Sequence, residues 1–174
     1  MATNIKHFFN ALYELHHLVQ QKHYEEENSF ERLPAILKMV FDVELCSIYR
    51  FDYTKNHLSL QFSYGHPQSM LDIVNFQLGK GNVRQIARLH RPFFGNLMAT
   101  ASQAILNKKQ VNSLAGIPII INSFLIGVLV CGSYSPNAFT KKELILLDLL
   151  GGFIGQLLIK NQWIDSRIKD QIKL

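Results

Sequence analysis

Between Ile73 and Lys142 the sequence carries eight cations and no acid. Lys80, Arg84, Arg88, Arg91, Lys108, Lys109, Lys141 and Lys142 give this segment a charge of +8, whereas residues 1–72 hold six Lys or Arg against nine Asp or Glu. A concentration of one sign draws anions. Arg84 and Arg88 are spaced one helical turn apart, and the N-terminal end of a short helix carrying them would add partial positive charge and free N–H groups. The chemistry on offer is attraction of an anionic ligand or an acidic partner. The alternative is a solvated basic face that opposes the acidic first third of the chain across the fold.

Other constellations are weaker. Gly79-Lys80-Gly81 lacks the further glycines and the Lys-Ser or Lys-Thr pair of a phosphate loop, and a turn needing positive φ explains both glycines. Seven histidines are present, but His16, His17 and His23 do not repeat at four-residue steps, and His57, His66 and His90 are scattered. No metal site is expected, although haem held by one histidine stays open. No Gly-x-Ser-x-Gly elbow occurs. Cys46 and Cys131, the two cysteines, lie in apolar runs, read as inert core thiols, and fit a reducing cytoplasm better than a disulfide framework. These absences lead to the expectation of a protein without enzymatic activity.

The elements that must position these residues follow from periodicity. With 174 residues, 48% of them apolar and 18% charged, the chain suits one globular domain, and a net charge of +5 does not by itself imply nucleic acid. Phe8, Phe9, Leu12, Leu15 and Val19 recur at helical steps, predicting a helix from Asn4 to about Tyr24. Asn28 with Glu31 resembles a capping box for a second helix reaching Phe41, with Pro34 as a competing start. Strands follow over Leu45 to Phe51 and His57 to Tyr64, with Leu58, Leu60, Phe62 and Tyr64 assigned to one face. Next come a short strand at Asn75 to Leu78, a short helix from Asn82 to about His90, an edge strand at Phe93 and Phe94, and a loop or weak helix over Leu97 to Gln110.

Leu114 to Tyr134 is uncharged over a membrane-spanning length, but Pro118, Asn122-Ser123 and Gly127 favour two strands and a turn. No signal peptide is visible, and no membrane segment is expected. Thr140 with Glu143 caps a helix expected to run from Lys141 beyond Ile168. Leu147, Leu150, Ile154, Leu157, Asn161, Ile164 and Ile168 follow coiled-coil spacing, which calls for a covering partner, either another chain or the first helix. The order of elements describes an α+β layer fold around an antiparallel sheet.

The run Ser113 to Val130, the Phe139-Thr140-Lys141-Lys142-Glu143 entry to the last helix, Cys46 to Asp52, and Leu78-Gly79-Lys80-Gly81-Asn82-Val83 together resemble a GAF domain, over about Phe30 to Asn161. The resemblance implies a central antiparallel β-sheet with the N- and C-terminal helices on one face, and a pocket covered by loops and a short helix on the other. It implies a small-molecule-sensing or dimerisation module. Arg84 and Arg88 would then supply charge to the ligand, Asn82 and Asn96 hydrogen bonds, and Tyr64 and Phe76 stacking surface. The cyclic-nucleotide signature, the bilin-attachment segment and the cysteine pattern of the free methionine sulfoxide reductases of this fold are not reproduced.

The expected organisation is an N-terminal dimer helix over 1–28, a GAF-like domain over 29–161 and a continuation of the last helix over 162–174. The leading expectation is a cytoplasmic, non-catalytic sensor of an unidentified anionic or aromatic ligand. It would be homodimeric through its terminal helices, with or without a separate effector protein, and would bind neither nucleic acid nor membrane. The alternatives are a ligand-free interaction scaffold and a haem or thiol sensor; the sequence names no cofactor.

Overall fold

In a computed structural model the described residues are 5–20, 28–41, 43–65, 82–96, 111–169 and 171–172. Helix α1 (Ile5–Gln20) buries Phe8, Ala11, Leu15 and Leu18, the inward stripe of its period. The second expected helix is two pieces, α2 (Asn28–Glu31) and α3 (Leu33–Lys38). Pro34 sits at the start of α3, where its missing N–H costs no helical bond, so the proline divides the segment.

Five strands follow: β1 (Leu45–Asp52), β2 (His57–Tyr64), β3 (Phe93–Asn96), β4 (Ser113–Ile121) and β5 (Phe124–Ser133). They form one antiparallel sheet in the order β2-β1-β5-β4-β3. Helix α4 (Asn82–Leu89) precedes β3, and α5 (Lys141–Lys160) and α6 (Ser166–Lys169) follow β5. The β4–β5 turn has φ of 48° at Asn122 and 67° at Ser123, the two positive values that a tight hairpin requires. The uncharged stretch is thus a sheet hairpin, and no helix among the described residues is long and apolar enough to cross a membrane.

Among the described residues, both faces of the sheet are covered, unequally. On the helix face, Cys46, Ile48, Ala115, Ile117, Ile119, Leu129 and Cys131 pack with the buried residues of α1, α3 and α5 into the main core. The opposite face carries a smaller cluster in which Val83, Ile86 and Ala87 of α4 lie against Tyr49, Leu125, Val128 and Val130. Gly116 permits that approach, because an added Cβ would stand 2.5 Å from Ile86 Cδ1.

The capping box at Thr140 and Glu143 is formed: the Thr140 side chain accepts from the Lys142 N–H, and the Glu143 carboxylate accepts from the Thr140 N–H. The other end of α5 corrects the sequence reading. The helix stops at Lys160, and the described residues from 162 onward are no continuation of it. Gln162 takes φ of 56°, the Trp163 N–H donates to the Leu158 carbonyl and the Gln162 N–H to the Ile159 carbonyl. That is a Schellman stop made without glycine. Trp163 then stacks on Phe30 with ring centroids 4.1 Å apart, and Ile164, Ile168 and Ile172 return to the main core.

Leu147, Leu150, Ile154 and Leu157 are fully covered within the chain. Gly151 and Gly155 let α5 sit on Ile117, Ile119 and Ile121 of β4, so the expected coiled-coil seam faces the sheet instead of a partner. Of the two coverings foreseen for that seam, the intramolecular one applies, with β4 contributing alongside α1.

Candidate functional site

Among the described residues the α4 face of the sheet is the less covered one, and two β-bulges decide what it presents. On β2, Ile48 pairs with Phe62 and Tyr49 with Leu60, leaving Gln61 as the extra residue. Side chains alternate along a strand, so one extra residue exchanges the faces. Leu58 and Leu60 therefore lie with Tyr49 and Phe51 beside α4, while Phe62 and Tyr64 turn to the terminal helices. The single stripe expected from Leu58 to Tyr64 is divided. On β5, Ile119 pairs with Gly127 and Ile120 with Leu125, so Ile126 is extra. Leu125 thereby reaches the α4 cluster and Ile126 the main core.

The α4 face is thus an apolar floor. Its β4–β5 half lies under α4, and its β1–β2 half presents Phe51, Leu58 and Leu60 half-buried. Three hydroxyls converge at one end of that half. Ser47 Oγ lies 3.3 Å from Ser63 Oγ, and Tyr49, two residues farther along β1, shares their face. Burial pushes the Tyr49 phenol up to about 12, outweighing the lowering effect of Ser47, so it stays a neutral hydroxyl at physiological pH. A mostly apolar surface with a few convergent polar groups suits a small ligand carrying a flat ring and a hydrogen-bonding edge.

The six residues singled out from the sequence do not form one site. Arg84 and Arg88 stand one turn apart on the exposed side of α4, opposite the inward Val83, Ile86 and Ala87. Tyr64 lies on the helix face at the β2 edge, where the Lys38 ammonium donates to its hydroxyl at 2.7 Å and lies 4.6 Å from its ring centroid. Asn96 is on β3, the opposite edge, and is engaged with Asn137 through bonds of 2.7 and 2.8 Å. Phe76 and the Asn82 side chain lie outside the described residues, as do the short strand at Asn75 to Leu78 and the segment Leu97 to Gln110. Ser47, Ser63, Leu58 and Leu60 were missed; the interruption at Gln61 would have exposed them, but its side chain resembles that of any outward strand residue.

Cys46 and Cys131 are buried on the helix face, so neither of the chain's two thiols belongs to the α4 face. The described residues contain no group of three His, Cys, Asp or Glu placed to hold a metal. A separate cleft of about 320 Å³ opens where β3 begins, lined by His90, Pro92, Pro118, Ile120, Asp148, Gly151 and Gly152. Burial raises the Asp148 carboxyl above its ordinary value.

The fold recurs in solved structures. The GAF domain of the Acinetobacter phosphoenolpyruvate-protein phosphotransferase superposes with a TM-score of 0.67 at 21% identity, covering 89% of this chain and 96% of that one. The fRMsr of Staphylococcus aureus in complex with its substrate gives 0.68 at 19%, over 91% of this chain and 97% of that one. The type II free methionine-R-sulfoxide reductase of Thermoplasma acidophilum gives 0.57 at 15%, over 72% and 83%. No curated protein matches the chain. The reductases correct the expectation of no enzymatic activity: this architecture includes enzymes, so missing hydrolase motifs do not make the chain a non-enzyme. The sequence profile of the GAF domain matches residues 30–158, and the chain belongs to that family.

Proposed function

We propose that this GAF domain is a sensory or regulatory module that takes a small, flat, anionic molecule on the α4 face of its sheet. The observation that carries this reading is the inequality of the two faces. Among the described residues, one is a filled core under the terminal helices, whereas on the other Phe51, Leu58 and Leu60 are half-buried beside the Ser47, Tyr49 and Ser63 hydroxyls. The charge of the region fits an anion, since the segment that carries α4 holds Arg84, Arg88 and Arg91 and no acid. Occupancy shifts helix packing only if the ligand prefers one arrangement. The setting we propose is the cytoplasm, where free thiols persist.

The route outward is a homodimer of the helix layer. Ile5 is 70% exposed, Phe9 and Tyr13 on α1 are 61% exposed, and Ile145 and Leu149 on α5 are 54% and 55% exposed. Large apolar side chains gathered on a helix pair mark an interaction surface. Light scattering on the wild type and on a Phe9→Glu/Leu149→Glu variant tests it: a dimer reduced to a monomer supports the interface, and a wild type monomeric at high micromolar concentration rejects it.

The ligand proposal is tested by thermal shift with a panel of anionic and aromatic metabolites, on the wild type, Arg88→Ala and Tyr49→Phe. A stabilising compound whose effect falls in both variants supports the reading. A panel without effect at millimolar concentration, or an effect indifferent to both substitutions, overturns it.

A further inference from the structure

The two cysteines of the chain stand opposite each other on the central strands. Cys46 and Cys131 are direct Cα partners in the β1–β5 ladder, both on the helix face of the sheet, 1% and 0% exposed. A proline reveals which kind of pair they make. Pro118 of β4 is paired with Val128 and has no N–H, so that pair cannot exchange two hydrogen bonds. Hydrogen-bonded and non-hydrogen-bonded pairs alternate along an antiparallel ladder.

The register is unbroken from Pro118↔Val128 to Ser113↔Ser133, and again from Leu45↔Gly132 to Arg50↔Gly127. Val128 and Val130 therefore turn their backbone bonds toward β1, and Cys131 turns its own toward β4. The Cys46–Cys131 pair is of the non-hydrogen-bonded kind, with Cα atoms about 4.5 Å apart and side chains converging. Disulfides span Cα separations of about 4.4–6.8 Å.

We infer that Cys46 and Cys131 form a reversible intramolecular disulfide in the folded protein, joining the neighbouring central strands β1 and β5. The oxidant is hydrogen peroxide. One thiolate attacks a peroxide oxygen, the O–O bond breaks, and a sulfenic acid and the first water result. The partner thiol then attacks the sulfenyl sulfur, the S–O bond breaks, the S–S bond forms and a second water leaves. Two electrons and two protons have passed from the thiols to the peroxide. The hydrogen bond to Cys131 and burial together hold the Cys46 thiol well above its ordinary value, so thiolate is scarce at neutral pH. The pair therefore records sustained oxidation instead of brief exposure.

The test uses the full chain, incubated with hydrogen peroxide for hours, then unfolded in iodoacetamide and weighed intact. The expected product is monomeric, two hydrogens lighter, resistant to alkylation, and yields a tryptic peptide pair joined at Cys46 and Cys131. Dithiothreitol should restore two alkylations, and oxidation should raise the urea midpoint read from Trp163 fluorescence. Cys131→Ser, or Cys46→Ala should the first fail to fold, should never lose two hydrogens within one chain. Two alkylatable thiols after treatment, sulfinic acids without a link, or links only between chains would overturn the inference.

Discussion

At Gly127 β5 leaves no space for a side chain against the β1 backbone, and replacing it by alanine is the sharpest test of the sheet's centre. The added Cβ would lie 2.0 Å from the Tyr49 carbonyl oxygen and 3.1 Å from its carbonyl carbon, where real Cβ atoms essentially never come within 3.0 Å. The obstacle is backbone, so no rotamer change relieves it. The strands must part by about 1 Å, loosening Ile48 and Leu129 on one face and Tyr49 and Val128 on the other.

Overpacking a core costs about 1–3 kcal/mol, and an unyielding backbone contact belongs at the top of that range. At roughly 2–4 °C per kcal/mol for a chain of this length, Tm should fall by about 6–12 °C. Gly152→Ala is the matched control: its Cβ meets nothing within 4 Å, and the helix gains about 1 kcal/mol. Thermal and urea unfolding followed by Trp163 fluorescence and circular dichroism should rank Gly152→Ala above wild type and wild type well above Gly127→Ala. A Gly127→Ala protein within about 0.5 kcal/mol of wild type would refute the β1–β5 packing described.

Gln162→Gly should stabilise the protein by about 0.5–1 kcal/mol in urea titrations, because Gln162 holds φ of 56° at the helix stop. Ultraviolet titration should show one tyrosine ionising only near 12, since burial raises Tyr49; its folded value exceeds the unfolded one, so its contribution is intact below about pH 10 and lost as pH rises through 12. Burial alone would raise the Asp165 carboxyl, but bonds from the Arg167 and Tyr53 N–H groups and the Arg167 charge hold it below its ordinary value. Its stabilisation is therefore present above about pH 4 and lost as pH falls through the lower folded value, and Asp165→Asn should flatten that acid limb of stability against pH.

What the sequence made legible was set by local chemistry. The Asn122-Ser123 turn, the Thr140 and Glu143 box and the apolar runs flanking them depend on neighbours in the chain, and the hairpin and final helix could be read from them. The end of that helix could not, because Gln162 adopts a glycine-like φ with nothing in its side chain to announce it; Trp163 on Phe30 supplies the reason from 133 positions away. The site suffered in the same way. A bulge is a property of two strands together, so the split between Leu60 and Phe62 was invisible in β2 alone. It moved Tyr64 off the face to which its alternation assigned it. Arg84 and Arg88 kept their expected spacing because helical periodicity is local.

The most direct test of the sensory reading is a two-dimensional amide NMR titration with 8-anilino-1-naphthalenesulfonate, a flat aromatic anion matched to the α4 face. The sensory reading predicts saturable shifts gathered on residues 47–51, 58–63 and 83–88, weakened in Arg88→Ala. Shifts confined to α1 and α5, or none at millimolar probe, would contradict it.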